Sequence, residues 1–245
     1  GLGVSSFSQT NLNGGGTPNY SIGIGNSALI TSHGEKVVGI GYRAGFEMDY
    51  GSNNTYIGDS AGQANSSGSW NVAVGSGIDG SGATYSGSVF LGFQAGGGTN
   101  TGNMNIGIGY SALGGTVTGD NNIAIGPYAG NALQSGNNNI LMGVDAGGAL
   151  TSGINNIAIG RNALVTENDT GYNVAICVNT LQVLNTGVQS YNVAVGYDAG
   201  NDLTTGTLNT LVGGYAGDAA SLSSGSVFLG YNAGGTVTTG NDNIA

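Results

Sequence analysis

The sequence predicts an all-β solenoid of parallel coils, about thirteen of them at about seventeen residues each. Three observations carry that prediction: a glycine at a fixed interval, an alternating apolar triplet in front of it, and an asparagine that opens the triplet. The glycine falls at Gly58, Gly75, Gly92, Gly109, Gly126, Gly143 and Gly160, seventeen residues apart each time. Gly25 and Gly41 precede that run at a spacing of sixteen, and Cys177 takes the glycine's place in the following copy. Gly196, Gly213 and Gly230 continue the series after one stretched interval of nineteen. A short fixed period means that each copy buries its apolar face only by stacking on its neighbours, so such a chain is first a rod.

The triplet reads Ile123-Ala124-Ile125, Ile157-Ala158-Ile159 or Val193-Ala194-Val195. A strand alternates its faces with period two, so the flanking pair shares one face and the middle residue takes the other. The flanking pair is nearly always Val, Ile, Leu or Met, with Thr55 and Thr210 as polar exceptions, and is expected to be the inward ladder. The middle position holds Gly, Ala, Leu, Tyr or Phe and never Lys, Glu, Ser or Thr. Both faces are therefore expected to be covered, the second by another subunit. That assigns Tyr56, Ala73, Phe90, Ala124, Leu141, Ala158, Ala175, Ala194, Leu211 and Phe228 to a trimer interface.

Asparagine opens most copies, among them Asn54, Asn71, Asn122, Asn139, Asn156, Asn173, Asn192 and Asn209. A stacked Asn column hydrogen-bonds along the stacking axis and tolerates tight turns. A second glycine lies seven residues before the closing one, as at Gly51, Gly68, Gly119, Gly136, Gly153 and Gly206, usually after Ser or Thr. It predicts a second short strand ending in a turn, so that each coil is strand, turn, strand, turn in a flattened two-stranded roll. The organisation expected is an irregular segment or degenerate coil over 1–18 and one repeat domain over 19–245. Because the sequence opens at Gly1-Leu2-Gly3 and ends inside a fresh copy at Asn243-Ile244-Ala245, the array is expected to continue beyond it.

Composition narrows the function classes. Charged residues are 7% of the chain, and thirteen acids against Lys36, Arg43 and Arg161 give a net charge of −10. Three cations cannot neutralise a phosphate backbone, which argues against a nucleic-acid partner. No apolar run approaches the ~18 residues of a membrane span, so no membrane insertion is expected in this segment. Fifty-one glycines with only two prolines exclude collagen, and 39% hydrophobic residues in fixed register exclude a disordered linker.

The phrase Asn-x-Ala-Ile-Gly-x-x-Ala after a Thr-Gly-Asn-Asn stretch resembles the left-handed β-roll heads of YadA-like trimeric autotransporter adhesins. It is similar also to the repeat arrays of phage and marine-bacterial tail-fibre-type proteins, over roughly Asn19 to Ala245. The resemblance implies a left-handed roll, three chains packed side by side, and an extracellular place on a virion tail fibre or a bacterial cell surface. Handedness comes from the resemblance alone.

Candidate sites are few. Gly39-Ile40-Gly41-Tyr42-Arg43-Ala44 and Gly107-Ile108-Gly109-Tyr110-Ser111-Ala112 match a GxGxxA pattern, but they are copies of the repeat and lack the helix that dinucleotide binding needs. Asp59, Asp145 and Asp198 share one position and read as solubilising acids rather than a cation ladder; Glu35, Glu47 and Asp49 cluster in a less regular region that could bind an ion, but no metal is expected. His33 and Cys177 stand far apart in sequence, leaving no nucleophile–base pair; Cys177 reads as structural, and no catalysis and no cofactor are expected. Tyr42, Phe93, Tyr110, Tyr197 and Tyr231 follow the closing glycine directly and are possible receptor contacts if exposed, against packing across the coil corner. Loops that break the period, at Ser76 to Ser88, Glu167 to Tyr172 and Gln182 to Tyr191, are further places to carry function. The expected function is a rigid trimeric fibre shaft attaching to a host-cell surface glycan or protein. The alternatives are a monomeric solenoid with a flat ligand face, such as an ice-binding protein, and a self-polymerising extracellular matrix filament.

Overall fold

The computed structural model describes residues 20–30, 32–80, 82–166, 168 and 171–245, so the expectation for 1–18 lies outside the described residues. Every strand among them is three residues long, and none of them lies in a helix, let alone one long and apolar enough to cross a membrane. The chain divides into two compact units, Gly1–Thr118 and Gly119–Ala245. Each unit is a β-solenoid whose strands pair in parallel and in chain order. The first holds β1 (Ile22–Ile24), β2 (Val38–Ile40), β3 (Thr55–Ile57), β4 (Val72–Val74), β5 (Val89–Leu91) and β6 (Ile106–Ile108). The second holds β7 (Ile123–Ile125), β8 (Ile140–Met142), β9 (Ile157–Ile159), β10 (Val174–Ile176), β11 (Val193–Val195), β12 (Thr210–Val212) and β13 (Val227–Leu229).

Like positions stack on like. Tyr56 pairs with Ala73, Ala73 with Phe90 and Phe90 with Gly107 in the first unit. Ala158, Ala175, Ala194, Leu211 and Phe228 follow one another in the second. The stretched interval does not disturb this: Ala175 still faces Ala194 across nineteen residues, and the two extra residues are taken up outside the strands. An isolated parallel bridge from Val227 to Ile244 begins a further coil.

The faces are the reverse of the sequence expectation. Tyr56, Ala73, Phe90, Ala124, Leu141, Ala158, Ala175, Ala194, Leu211 and Phe228 are all 0% exposed within the chain itself. They face the coil's own interior and are withdrawn from any contact with another subunit. The flanking Val and Ile positions are the outer ones, and not one of them is buried. The reason is width. A coil with one three-residue strand has room inside for one side chain per strand, against the alanine three residues past the closing glycine and a leucine further on. Ala61, Ala129, Ala146 and Ala199 fill the first column, and Leu133, Leu150 and Leu203 the second, all fully buried. Bulk is balanced between coils, as close packing requires. The Phe90 ring lies where a Cβ on Gly107 would come within 3.0 Å of it, and a Cβ on Gly45 would come as close to the Tyr56 ring.

The predicted second strand does not form: among the described residues each coil contains one strand only. The opposite wall is held instead by backbone bonds between coils that form no ladder, as where the Thr151 carbonyl accepts the Gln134 N–H at 2.8 Å and the Ser135 N–H at 3.1 Å, and the Ser221 carbonyl accepts the Thr204 N–H at 2.9 Å. The second glycine is there for closeness. A Cβ at Gly136 would collide with the Gly153 carbonyl oxygen of the next coil and with Leu133 Cδ1 at 2.8 Å.

The asparagine column ties the two walls together. Asn139 Oδ1 accepts the Asn156 N–H of the next coil at 3.0 Å, while its Nδ2 donates to the Gly153 carbonyl at 2.8 Å. Asn192 repeats the pattern with the Asn209 N–H at 2.9 Å and the Gly206 carbonyl at 2.9 Å. Both partners lie at fixed offsets, which is why Asn and the second glycine recur together. These buried amides are satisfied, as burial requires, while Asn173 departs from the pattern with a buried Nδ2 that has no hydrogen-bond partner.

Candidate functional site

The turn after each strand has one geometry throughout. The closing glycine has φ near +130°, and the residue two places later is left-handed: Arg43 (φ 52°), Gln94 (54°), Tyr128 (60°), Asp145 (55°), Asn179 (56°), Asp198 (52°) and Tyr215 (58°). Between the two, a side chain is thrown outward at the coil edge. There Tyr42, Phe93, Tyr110, Tyr197 and Tyr231 all stand exposed, from 44% for Tyr110 to 80% for Tyr231. They do not fold over the corner. Phe93 and Tyr110 stack at 5.6 Å between centroids and 18° between planes. The Arg43 guanidinium sits 4.4 Å above the Phe46 ring beside Tyr42.

In the second unit the same turns build a cleft of about 180 Å³ lined by Asn179, Asp198, Asn201, Asp202, Tyr215 and Asp218. Gly214 leaves a gap in the outward aromatic column, and the Tyr215 ring fills it, meeting Tyr197 edge-on at 5.3 Å and Tyr231 edge-on at 5.8 Å. The opposite wall is a hydrogen-bonded polar net. Asn179 Nδ2 donates to Asp198 Oδ1 at 3.0 Å, and Asn201 Nδ2 donates to Gln182 Oε1 at 3.0 Å. The Asp218 Oδ1 accepts the Ala219 N–H at 3.0 Å. Loss of solvent, then the charges of Tyr197 and Asp198, push the Tyr215 hydroxyl above its ordinary pKa. Arg161, the only Lys or Arg of this unit, does not line the cleft.

Within the irregular stretch from Ser76 to Ser88, Ile78, Ala83 and Tyr85 turn inward, while Gly82, Thr84 and Gly87 stay exposed. Ile78 is fully buried, and both carboxyl oxygens of Asp79 (φ 80°) are shut away from solvent with no hydrogen-bond partner. The Tyr56 and Tyr85 hydroxyls nearby are likewise buried and unpartnered. Burial pushes the Asp79 carboxyl up to about 7; the Tyr85 hydroxyl acts the other way, close enough to favour the anion but outside hydrogen-bonding geometry. Asn65, in the column that holds Met48 and, in the second unit, Leu133, Leu150 and Leu203, donates to the Tyr85 carbonyl at 3.1 Å and accepts the Gly68 N–H at 2.9 Å.

The remaining candidates stand apart. His33 Nδ1 lies 2.7 Å from Asp49 Oδ1 on the surface of the first unit, and its ring stacks on Tyr50. Among the described residues no three His, Cys, Asp or Glu side chains gather closely enough to hold a metal ion. Both GxGxxA segments run from a strand into a turn. Cys177 is a free, half-buried thiol in the second unit. Of the Glu167 to Tyr172 stretch, Glu167, Asp169 and Thr170 lie outside the described residues.

A second exposed column is not read from the sequence, because its members share no residue type. It lies two residues before each strand and is also left-handed, with Trp70 (φ 59°), Met104 (57°), Tyr172 (65°), Tyr191 (51°) and Leu208 (63°) among its members. Trp70 is 69% exposed, and Tyr172 and Tyr191 stack at 4.9 Å. The available signal was positional: Asn53, Asn121, Asn138 and Asn155 hold the same place, and asparagine favours left-handed backbone. No family model, curated protein or solved structure matches the chain.

Proposed function

We propose that this chain is a structural and adhesive fibre segment, of a phage tail fibre first and of a bacterial surface adhesin second. In this reading it is extracellular, associates side by side into a homotrimer, and attaches to a glycan or protein on a host-cell surface. The observation that carries the reading is the outer face of the sheets. In the first unit eleven of the twelve flanking strand positions are Val, Ile or Leu, and in the second thirteen of fourteen are Val, Ile, Leu or Met, all of them partly or fully exposed. A single chain leaves that face in water, where each aliphatic costs on the order of 25 cal/mol per Å². Further copies of the chain supply a matching surface, since a face made only of like ladders is complementary to itself. Three copies then present each weak surface contact three times, and avidity takes the place of affinity.

Light scattering on the chain tests the assembly. The expected mass is three times 24.0 kDa. Ile125→Lys with Ile159→Lys, on the outer face of β7 and β9, is expected to return the mass of one chain with its circular dichroism intact. A folded monomer for the unsubstituted chain refutes the assembly. Binding of the fluorescently labelled trimer to bacterial cells, absent after glycan stripping and protease treatment of those cells, tests attachment.

A further inference from the structure

The cleft of the second unit combines three features seldom found together on a surface with so few charges. One wall is the Tyr215 ring, held edge-on between Tyr197 and Tyr231, which lie outside the lining, the Tyr231 ring 80% exposed. The other wall is fixed before any ligand arrives, because Asn179 and Asn201 are held by Asp198 and Gln182. The third feature is an unbalanced set of acceptors: the Asp202 carboxylate has no hydrogen-bonding or ionic partner among the described residues, its residue being tied only by its backbone N–H to the Asp218 carbonyl at 3.0 Å, and the Asp218 carboxylate uses only Oδ1, on the Ala219 N–H. No Lys or Arg lines the cleft.

We infer that this cleft is a binding site for a neutral carbohydrate, whose hydroxyls donate to Asp198, Asp202 and Asp218 while its C–H face rests on Tyr215, and the neighbouring sugar, outside the cleft, meets Tyr231. The inference rests on the glycan arm of the attachment reading above and gives it a place and a selectivity. A sugar hydroxyl donating to a carboxylate makes a charge-assisted bond, and vicinal hydroxyls match two carboxylate oxygens. The exposed tyrosine rings supply flat apolar area at little entropic cost. The volume of about 180 Å³ suits one monosaccharide unit, with the rest of the chain running outside along the tyrosines. Three acids with no cation repel sialic acids, uronates and sulfated sugars, so selectivity against acidic glycans is part of the site.

The test is a glycan array carrying neutral and N-acetylated oligosaccharides beside sialylated, uronate-containing and sulfated ones, with titration of the hits by protein-observed NMR. Neutral hits only are expected, weakened roughly tenfold or more by Asp202→Ala and by Tyr231→Ala. Both side chains are exposed, so the fold is expected to persist, and Phe93→Ala in the first unit serves as the aromatic control that leaves binding unchanged. Acidic hits, an array without hits, binding abolished by EDTA, or hits indifferent to both substitutions would each overturn the assignment. Cell attachment retained by Asp202→Ala and Tyr231→Ala refutes the cleft alone, whereas array binding without cell attachment refutes the attachment reading and leaves the cleft standing.

Discussion

Gly160 and Cys177 hold the same place in successive coils, and both take glycine's backbone, at φ 138° and φ 124°. A Cβ at Gly160 would collide with the Cys177 carbonyl, while Cys177 carries a real Cβ at the one place where the following interval stretches to nineteen residues. The extra residues do not open the turn itself, since the Gly196 N–H still reaches the Ile176 carbonyl at 2.9 Å, and the left-handed strain remains. Thr180 Oγ1 takes up the altered turn, donating to the Gly196 carbonyl at 2.8 Å and standing 3.1 Å from the Cys177 carbonyl.

Cys177→Gly is therefore expected to stabilise the second unit by about 1 kcal/mol, the lower end of what such a backbone costs, less the extra freedom glycine gains in the unfolded chain. In a chain of this size that is a rise of about 2–4 °C in Tm. The opposite change, Gly143→Ala, places a Cβ 2.6 Å from the Gly160 carbonyl oxygen at φ +133° and is expected to cost more than about 2 kcal/mol. Calorimetry on both variants decides the matter: an unchanged or lower Tm for Cys177→Gly means that the cysteine is not strained.

Removing one rung of the asparagine column tests the tie between the walls. Asn139→Ala abandons the Asn156 N–H and the Gly153 carbonyl, both buried, and is expected to cost about 2–4 kcal/mol. Asn139→Ser is expected to cost clearly less, because Ser88 already serves in this column, its Oγ accepting the Asn105 N–H at 3.1 Å. Equal losses for alanine and serine in chemical denaturation would show that the side chain only fills space.

Asp79 makes the first unit sensitive to pH. Its carboxyl titrates at about 7 when folded against 3.8 when free, so between those values the unfolded chain gives up a proton that the folded chain keeps. Stability is therefore greatest below about pH 4, falls as the pH rises to about 7, and levels off above. The fall attributable to Asp79 has an upper bound of about 4 kcal/mol, from about 1.4 kcal/mol for each pKa unit. Asp79→Asn is expected to remove that slope, and melting curves from pH 4 to 8 on both proteins measure it. Identical pH profiles would place the carboxyl in water rather than inside the coil.

The period, the strand positions and the in-register stacking were all legible in the sequence, because Gly126, Gly143 and Gly160 and the triplets before them mark one backbone geometry. The direction of the faces was not. Alternation says that Ile157 and Ile159 share a side and Ala158 takes the other, but only the width of the closed coil says which side is inside. The bulky aliphatics suggested the core, yet the space within admits Ala158 against Ala163 and excludes the larger pair. The tyrosines after the glycine were legible by position, with their exposure left open, whereas the cleft was not, since Asp198 and Tyr215 share one column while Asp202 and Asp218 come from two others. Asp79 looked like a loop acid, and only the inward turn of Ile78 beside it places its charge among Tyr56 and Tyr85.

The nineteen-residue interval has a bearing on inheritance. Ala175 faces Ala194 as squarely as Ala158 faces Ala175, although the connection is two residues longer. A gene that gains or loses a whole phrase by unequal recombination, such as residues 140–156, rejoins Asn139 to Ile157 and restores every neighbour relation at the junction. Length in this chain is thus a quantity that replication slippage can change without inventing a new fold, while the turns remain free to vary one coil at a time.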